Sequence, residues 1–263
     1  MPLAAGADVT GIALDEADGW RLDLDAVRAA LRAETRVVAV SAPNNPTGAL
    51  PDPATWQALI DLCEERGVRL VADEVFRGLE LDPARTLRQA ADASPTAVSI
   101  NVMSKSYGLP GLRVGWIACH DHALLERLER HKHYTSICNA APSELLAAVA
   151  LDAGDRIHER NRGIIAANLP EFEAFFAAHS DLFDWAAPAG GCVAFPRYRG
   201  SDSVEAFCQD LVEQTGVLLL PAGVFRSEIG PVPADRFRIG VGRRDPEPAL
   251  AALGRFVAER RAR

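Results

Sequence analysis

The chain has 263 residues, 48% of them hydrophobic and 24% charged, with a formal net charge of −8 at pH 7; this is the profile of an ordinary globular protein with room for one or two domains. Basic residues are scattered rather than run together, which with the acidic balance argues against nucleic acid or an anionic membrane as partner, and no apolar stretch approaches the length of a membrane span. The five cysteines, Cys63, Cys119, Cys138, Cys192 and Cys208, are an odd number with no C-x-x-C pair and read as free thiols of a reducing, cytoplasmic setting. Met1 to Asp8 lack the basic region and apolar core of a secretion signal.

Taken in order, Ala4 to Asp8 read as a helix end and Val9 to Leu14 as a short strand. A helix is expected from about Leu22 to Ala33, its first turn carrying Asp23 and Asp25, where the helix dipole favours acids. Arg36 to Ser41 is a continuous β-branched run, expected to be a strand buried on both faces. It ends in Ala42-Pro43-Asn44-Asn45-Pro46-Thr47-Gly48, a turn by composition. A helix from about Pro53 to Arg66, a stop at Gly67 and a strand from Val68 to Ala72 complete a βαβ unit that leads into Asp73-Glu74. A third apolar run, Ala97 to Met103, stops at Ser104-Lys105, turns through a Gly/Pro-rich loop and resumes at Val114 to Cys119.

Helices are expected from Asp121 to Lys132 and from Pro142 to Leu151, then one extended amphipathic helix from Asp155 to His179 suited to connect two lobes. Beyond it the elements become short: strands at Gly190 to Phe195, Val217 to Leu220 and Arg236 to Val241, with helices at Ser203 to Thr215 and Pro246 to Arg263. The expected division is a larger α/β domain over residues 1–154 and a connector helix with a smaller α+β domain over 155–263.

Lysine is rare here. Of 28 Lys and Arg residues only Lys105 and Lys132 are lysine, so lysine is expected where a guanidinium cannot serve. Nucleophilic addition to a carbonyl is such a task, because Arg never deprotonates and Lys can. Alone, Lys105 reads as a loop lysine, Asn45 as a turn residue and Asp73 as a helix cap. Together they follow three successive parallel strands, with Arg113 shortly after, at the sheet edge where open α/β proteins place their chemistry. An amine, a carboxylate, an amide and a guanidinium converging there describe a site for an anionic carbonyl cofactor.

These residues resemble those of the class I/II aminotransferases among the fold-type I pyridoxal-phosphate enzymes. The likeness rests on Asn45-Pro46-Thr47-Gly48, Asp73-Glu74-Val75, Ser104-Lys105 with Gly108-Leu109-Pro110-Gly111-Leu112-Arg113-Val114-Gly115, and Phe237-Arg238-Ile239-Gly240. The resemblance implies a three-layer α/β/α large domain, a smaller C-terminal domain, a homodimer, and amino-group transfer between an amino acid and a 2-oxo acid. It implies that Lys105 forms a Schiff base with pyridoxal 5'-phosphate and then carries the proton. Asp73 would pair with the pyridine nitrogen, since a cationic ring is the better electron sink. Asn45 would donate to the ring oxygen, Ser104 and Arg113 would hold the phosphate, and Arg238 would clamp the substrate carboxylate. The alternatives are a lyase or cyclase with the same cofactor, or a non-catalytic homologue that serves as a binding or assembly subunit.

The chain departs from the family pattern at Phe76, where a tyrosine is usual, and at Val102, where a phosphate-binding hydroxyl is common. It also lacks a glycine-rich phosphate cradle before Asn45, so a fragment or shortened member with exposed apolar edges is expected. His120, His122, His131 and His133 fall at the two ends of one predicted helix without a completing ligand set, and no metal site is expected. Tyr107, Trp116 and Cys138 read as packing or loop residues, and Cys192, after Gly190-Gly191, as a lining residue on the substrate side.

Overall fold

The computed structural model describes residues 2–262. Its larger sheet has strands β1 (Val37–Ser41), β2 (Arg69–Asp73), β3 (Val98–Val102) and β4 (Gly115–Ala118) in that spatial order. The first three are parallel and β4 runs antiparallel to β3. Register aligns the strand ends, because Ser41 lies beside Asp73 and Asp73 beside Ile100. The segments leaving these carboxyl ends therefore start from one edge.

Three helices cover one face: α1 (Leu24–Ala30), α2 (Pro53–Glu65) and α3 (Ala90–Ala93). Asp23 caps α1 by accepting from the amides of Asp25 and Ala26, and Asp52 caps α2 by accepting from Ala54 and Thr55. Pro53 sits in the first turn of α2, where its missing N–H costs nothing. Beneath them Val27, Trp56, Leu59, Ile60, Leu70, Ala72 and Ala90 form one buried cluster. Each fully buried Leu or Ile contributes about 1.5–3 kcal/mol.

The expectation of a first strand buried on both faces is corrected. In β1, Val38 and Val40 face the cluster, while Ala39 is exposed and Val37 is 50% exposed. This strand lies at the sheet edge, and among the described residues nothing covers that face. The strand expected at Val9 to Leu14 is also absent. That segment has no ladder partner, and the nearest pairing is a single bridge between Asp15 and Arg21. Apolar alternation makes a strand only when another strand satisfies its amides.

Helices α4 (His122–Thr135) and α5 (Ala141–Asp152) follow β4. Ala147 and Ala150 of α5 pack on the fully buried Met103, together with Tyr107, Leu109, Val114 and Trp116. Next comes α6 (Gly154–Ala178), the extended helix expected from the sequence.

The remaining elements are β5 (Phe183–Asp184), β6 (Val193–Ala194), β7 (Arg197–Tyr198), α7 (Val204–Thr215), β8 (Leu220–Pro221), β9 (Phe237–Gly240) and α8 (Glu247–Arg261). Strands β6, β9 and β8 make an antiparallel sheet, and β5 pairs with β7. The strands are shorter than expected: of Gly190 to Phe195 only Val193 and Ala194 pair in a ladder, Gly190 making a single bridge to Glu80, and of Val217 to Leu220 only Leu220 pairs. Their shared core is aromatic. Phe183 meets Phe176 edge-on at 5.5 Å and Phe237 edge-on at 5.8 Å, the preferred geometry for ring quadrupoles. Phe76 and Leu79, just past β2, belong to this second core, so it clasps the sheet edge.

Candidate active site

The turn after β1 is held by Asn44, not Asn45. Asn44 Oδ1 accepts from the Thr47 hydroxyl at 2.8 Å, and the Asn44 carbonyl accepts from Gly48 N at 2.9 Å. Asn45 is left exposed at the tip. Gly48 has φ +69°, and a Cβ there would stand 2.3 Å from Pro188 Cβ and 2.7 Å from the Val193 carbonyl. Only glycine lets the turn and the second core approach so closely.

Asp73 closes β2, and its Oδ1 accepts from Val75 N at 3.2 Å. Its neighbour Glu74, unremarked in the sequence beyond its place in the motif, is 2% exposed. Glu74 Oε1 accepts from Ala90 N at 2.7 Å and from the Ser99 hydroxyl at 3.0 Å, while Oε2 has no partner. Burial pushes this carboxyl above the usual carboxylate range, against the pull of those donors.

Lys105 stands in the loop that leaves β3. Met103 anchors the loop from inside, donating to Val114 O at 2.9 Å and accepting from Leu109 N at 2.8 Å. Gly108 N donates to Lys105 O at 2.9 Å, and Ser106 N donates to Val75 O at 3.2 Å, which ties the lysine loop to the turn after Asp73. Lys105 itself is exposed and Ser104 half-buried. Arg113 is exposed with φ +55°, and its guanidinium returns to Pro110 O at 2.9 Å within its own loop. Val102 packs on β4, where a Cβ at Gly115 would meet Val102 Cγ1 at 2.8 Å.

Arg238 reaches the sheet edge from β9. Its Nη1 donates to Asn45 Oδ1 at 2.9 Å, and its guanidinium carbon lies 5.6 Å from the Phe225 ring centre. Between the two halves runs Gly190-Gly191-Cys192. A Cβ at Gly190 would meet Pro43 Cγ at 2.8 Å, and one at Gly191, whose φ is +80°, would meet Phe76 Cδ2 at 3.1 Å. Phe76, 3% exposed, is thus a floor for this segment. Burial raises the Cys192 thiol, and the positive charges of Lys105 and Arg238 oppose that rise.

The structure therefore gathers Asn45, Asp73 and Lys105 at one edge and brings Arg238 and Cys192 to them, while Arg113 turns back on its own loop. Sequence reasoning missed His158, Asn161 and Arg162 of α6. Asn161 Nδ2 donates to Ser106 O at 2.8 Å and Arg162 Nη1 to Gly78 O at 2.9 Å. The available signal is their spacing, which puts three polar side chains on one helical face. A cavity of about 500 Å³ opens beside the Asn45 turn, walled in part by Trp20, Ser41, Asn44, Thr47, Trp185 and Arg236. Neither Lys105 nor Asp73 lines it, so it is separate from the lysine edge.

The family model for aminotransferase class I and II matches residues 3–255. Capreomycidine synthase of Streptomyces vinaceus is 34% identical over 255 residues, covering 96% of this chain and 64% of that protein. Arginine–pyruvate transaminase of Pseudomonas aeruginosa is 31% identical over 253 residues, covering 90% of this chain and 60% of that protein. Among solved structures, the PLP-dependent cyclase OrfR superposes with a TM-score of 0.87 at 30% identity, covering 98% of this chain and 68% of that one. The chain thus spans less than two thirds of the length of these two curated relatives.

Proposed function

Because the chain belongs to the class I and II aminotransferase family, we propose that it works as a pyridoxal-phosphate-dependent aminotransferase, moving an amino group between an amino acid and a 2-oxo acid. The observation that carries this reading is the placement of Asn45, Asp73 and Lys105 past the ends of three adjacent parallel strands, with Arg238 docked on Asn45.

The donor set fits that cofactor chemically. Lys105 offers an exposed amine at the sheet edge, whereas the other lysine, Lys132, is on α4 with its Nζ on Asn139 Oδ1 at 3.1 Å. When bound, pyridoxal phosphate supplies a carbonyl carbon and a ring that draws electrons from the substrate α-carbon. The chain's own groups do the rest. Lys105 Nζ would hold the cofactor by its carbonyl carbon and, in amino-group transfer, would carry the substrate α-proton to that carbon. The Asp73 carboxylate would keep a proton on the ring nitrogen. Asn45 would give its amide NH₂ to the ring oxygen, a task that Phe76, with no hydroxyl, could not share. Ser104 Oγ would hold the phosphate, joined by the Arg113 guanidinium once it leaves Pro110 O, and the Arg238 fork would orient the substrate by its carboxylate.

The test is direct. Added pyridoxal phosphate should give a visible absorbance band, borohydride should fix a pyridoxyl mass on the peptide carrying Lys105, and Lys105→Ala should abolish both. Absence of the band, or its persistence in K105A, rejects the reading.

A second reading, cyclisation of an amino acid, is favoured by the likeness to a synthase and a cyclase. Products separate the two: transfer releases a 2-oxo acid, whereas cyclisation retains the substrate nitrogen in a ring. The same proposal takes residues 1–154 as the cofactor-binding part and 155–263 as the connector and small domain. It also takes the working unit as a cytoplasmic homodimer, for which the family and the unpaired thiols are the support.

A further inference from the structure

The two halves of α6 do different work. From Ile165 onward its buried apolar side chains, Ile165, Phe172 and Phe176, belong to the second core, which also holds the flanks of Arg238, Phe237 and Ile239. Its first turns instead grip the two loops of the site. Asn161 Nδ2 donates to Ser106 O at 2.8 Å, and Arg162 Nη1 donates to Gly78 O at 2.9 Å, in the turn past Asp73. The His158 ring lies 4.7 Å from the Tyr107 ring, and a Cβ at Gly78 would stand 2.6 Å from His158 Nδ1.

A lysine has four rotatable side-chain bonds, and the chain can restrict its amine most cheaply by fixing the backbone beneath it. Here both peptide groups around Ser106 are tied. The first donates its N–H to Val75 O at 3.2 Å, and the second offers its carbonyl to Asn161. The first of these planes sets ψ of Lys105.

We propose that His158, Asn161 and Arg162 form a positioning clamp, with Asn161 as its principal residue, which sets Lys105 relative to Asp73 and, through the same continuous helix, relative to Arg238. The clamp matters to catalysis only if Lys105 is the reacting amine, so to that extent it rests on the proposed function. None of the three is a catalytic residue; they act through the loops they hold.

The experiment uses the full chain without cofactor and reads the backbone and the amine separately. Hydrogen exchange reports residues 104–109. A short acetic anhydride pulse, followed by peptide mass spectrometry, gives the ratio of acetylated Lys105 to acetylated Lys132, each lysine serving as reference for the other. Asn161→Asp keeps the shape and removes the donor. It should speed exchange in the loop tenfold or more and shift the lysine ratio at least twofold, with exchange at residues 172–176 unchanged. Arg162→Gln should instead loosen residues 75–79. The proposal is overturned if N161D leaves loop exchange and lysine ratio at wild-type values, or if exchange rises equally in both cores. Should N161D fail to fold, N161Q against N161A decides. Better loop protection in N161Q, which retains an amide donor, supports the clamp, and equal protection rejects it. Failure of pyridoxal phosphate to load onto Lys105 counts against the proposed function and leaves these readouts intact.

Discussion

Arg238 donates to Asn45 Oδ1 at 2.9 Å across 193 positions of sequence. A guanidinium has donors and no acceptor, so this contact also settles which way the Asn45 amide points: its oxygen meets Arg238 and its NH₂ turns elsewhere. The two residues sit at the tip of the β1 turn and on β9, and their contact joins the sheet edge to the second core.

Arg238→Lys keeps a positive charge and loses the planar fork. Under the proposed function, affinity for a 2-oxo acid should fall tenfold or more, about 1.4 kcal/mol or beyond. Titration of the cofactor absorbance with oxo acid measures it, and unchanged affinity would remove Arg238 from the carboxylate role.

Gly191→Ala meets two penalties, φ of +80° and a Cβ 3.1 Å from Phe76 Cδ2. The expected loss of stability is about 1–3 kcal/mol, read from urea unfolding. Adding Phe76→Leu should recover the steric share but not the backbone share, and the double-mutant cycle separates them.

His158 gives the fold a pH dependence of known sign. Burial lowers its pKa first, then Arg162 and Arg77, while Asp155 opposes them; Tyr107 is its aromatic neighbour. Below an unfolded value near 6.5 the unfolded chain binds a proton that the folded chain refuses, so stability falls as pH drops from 7 toward 5. His158→Gln should flatten that slope. His179, lowered chiefly by burial and by Arg261, keeps part of it. An identical slope in H158Q, measured by thermal unfolding across this range, would contradict the assignment.

Cys192 should react in a charge-selective way. Its raised pKa makes it slower than the exposed Cys138 toward neutral iodoacetamide at pH 7.5. Anionic iodoacetate should narrow the gap several-fold, because the positive charges of Lys105 and Arg238 act at the thiol. Arg238→Gln should remove part of that advantage, Lys105 keeping the larger share; peptide mass spectrometry follows each cysteine, and equal selectivity in R238Q would refute it.

What the sequence revealed follows from what is local. The Asn45 turn, the Asp73 strand end and the Lys105 loop are written in glycine, proline and β-branched runs, whose preferences act within a few residues. Long-range partners carry no such mark. Nothing near Asn161 points to Ser106, 55 positions away, and Phe76 reads as a missing hydroxyl until Gly191 is seen resting on it. Val9 to Leu14 and β1 fail in the same way, since strand pairing and two-sided burial depend on which segments lie alongside.

Pro170 lies inside α6, where it has no N–H to offer the carbonyl a turn earlier. The loss falls between the turns that hold Ser106 and Gly78 and the Phe172–Phe176 stretch embedded in the aromatic core. A missing bond of this kind is where a helix accommodates a kink. The helix axis can therefore turn at this one place, so that the segment gripping the lysine loop and the segment buried in the aromatic core each follow their own packing within a single helix.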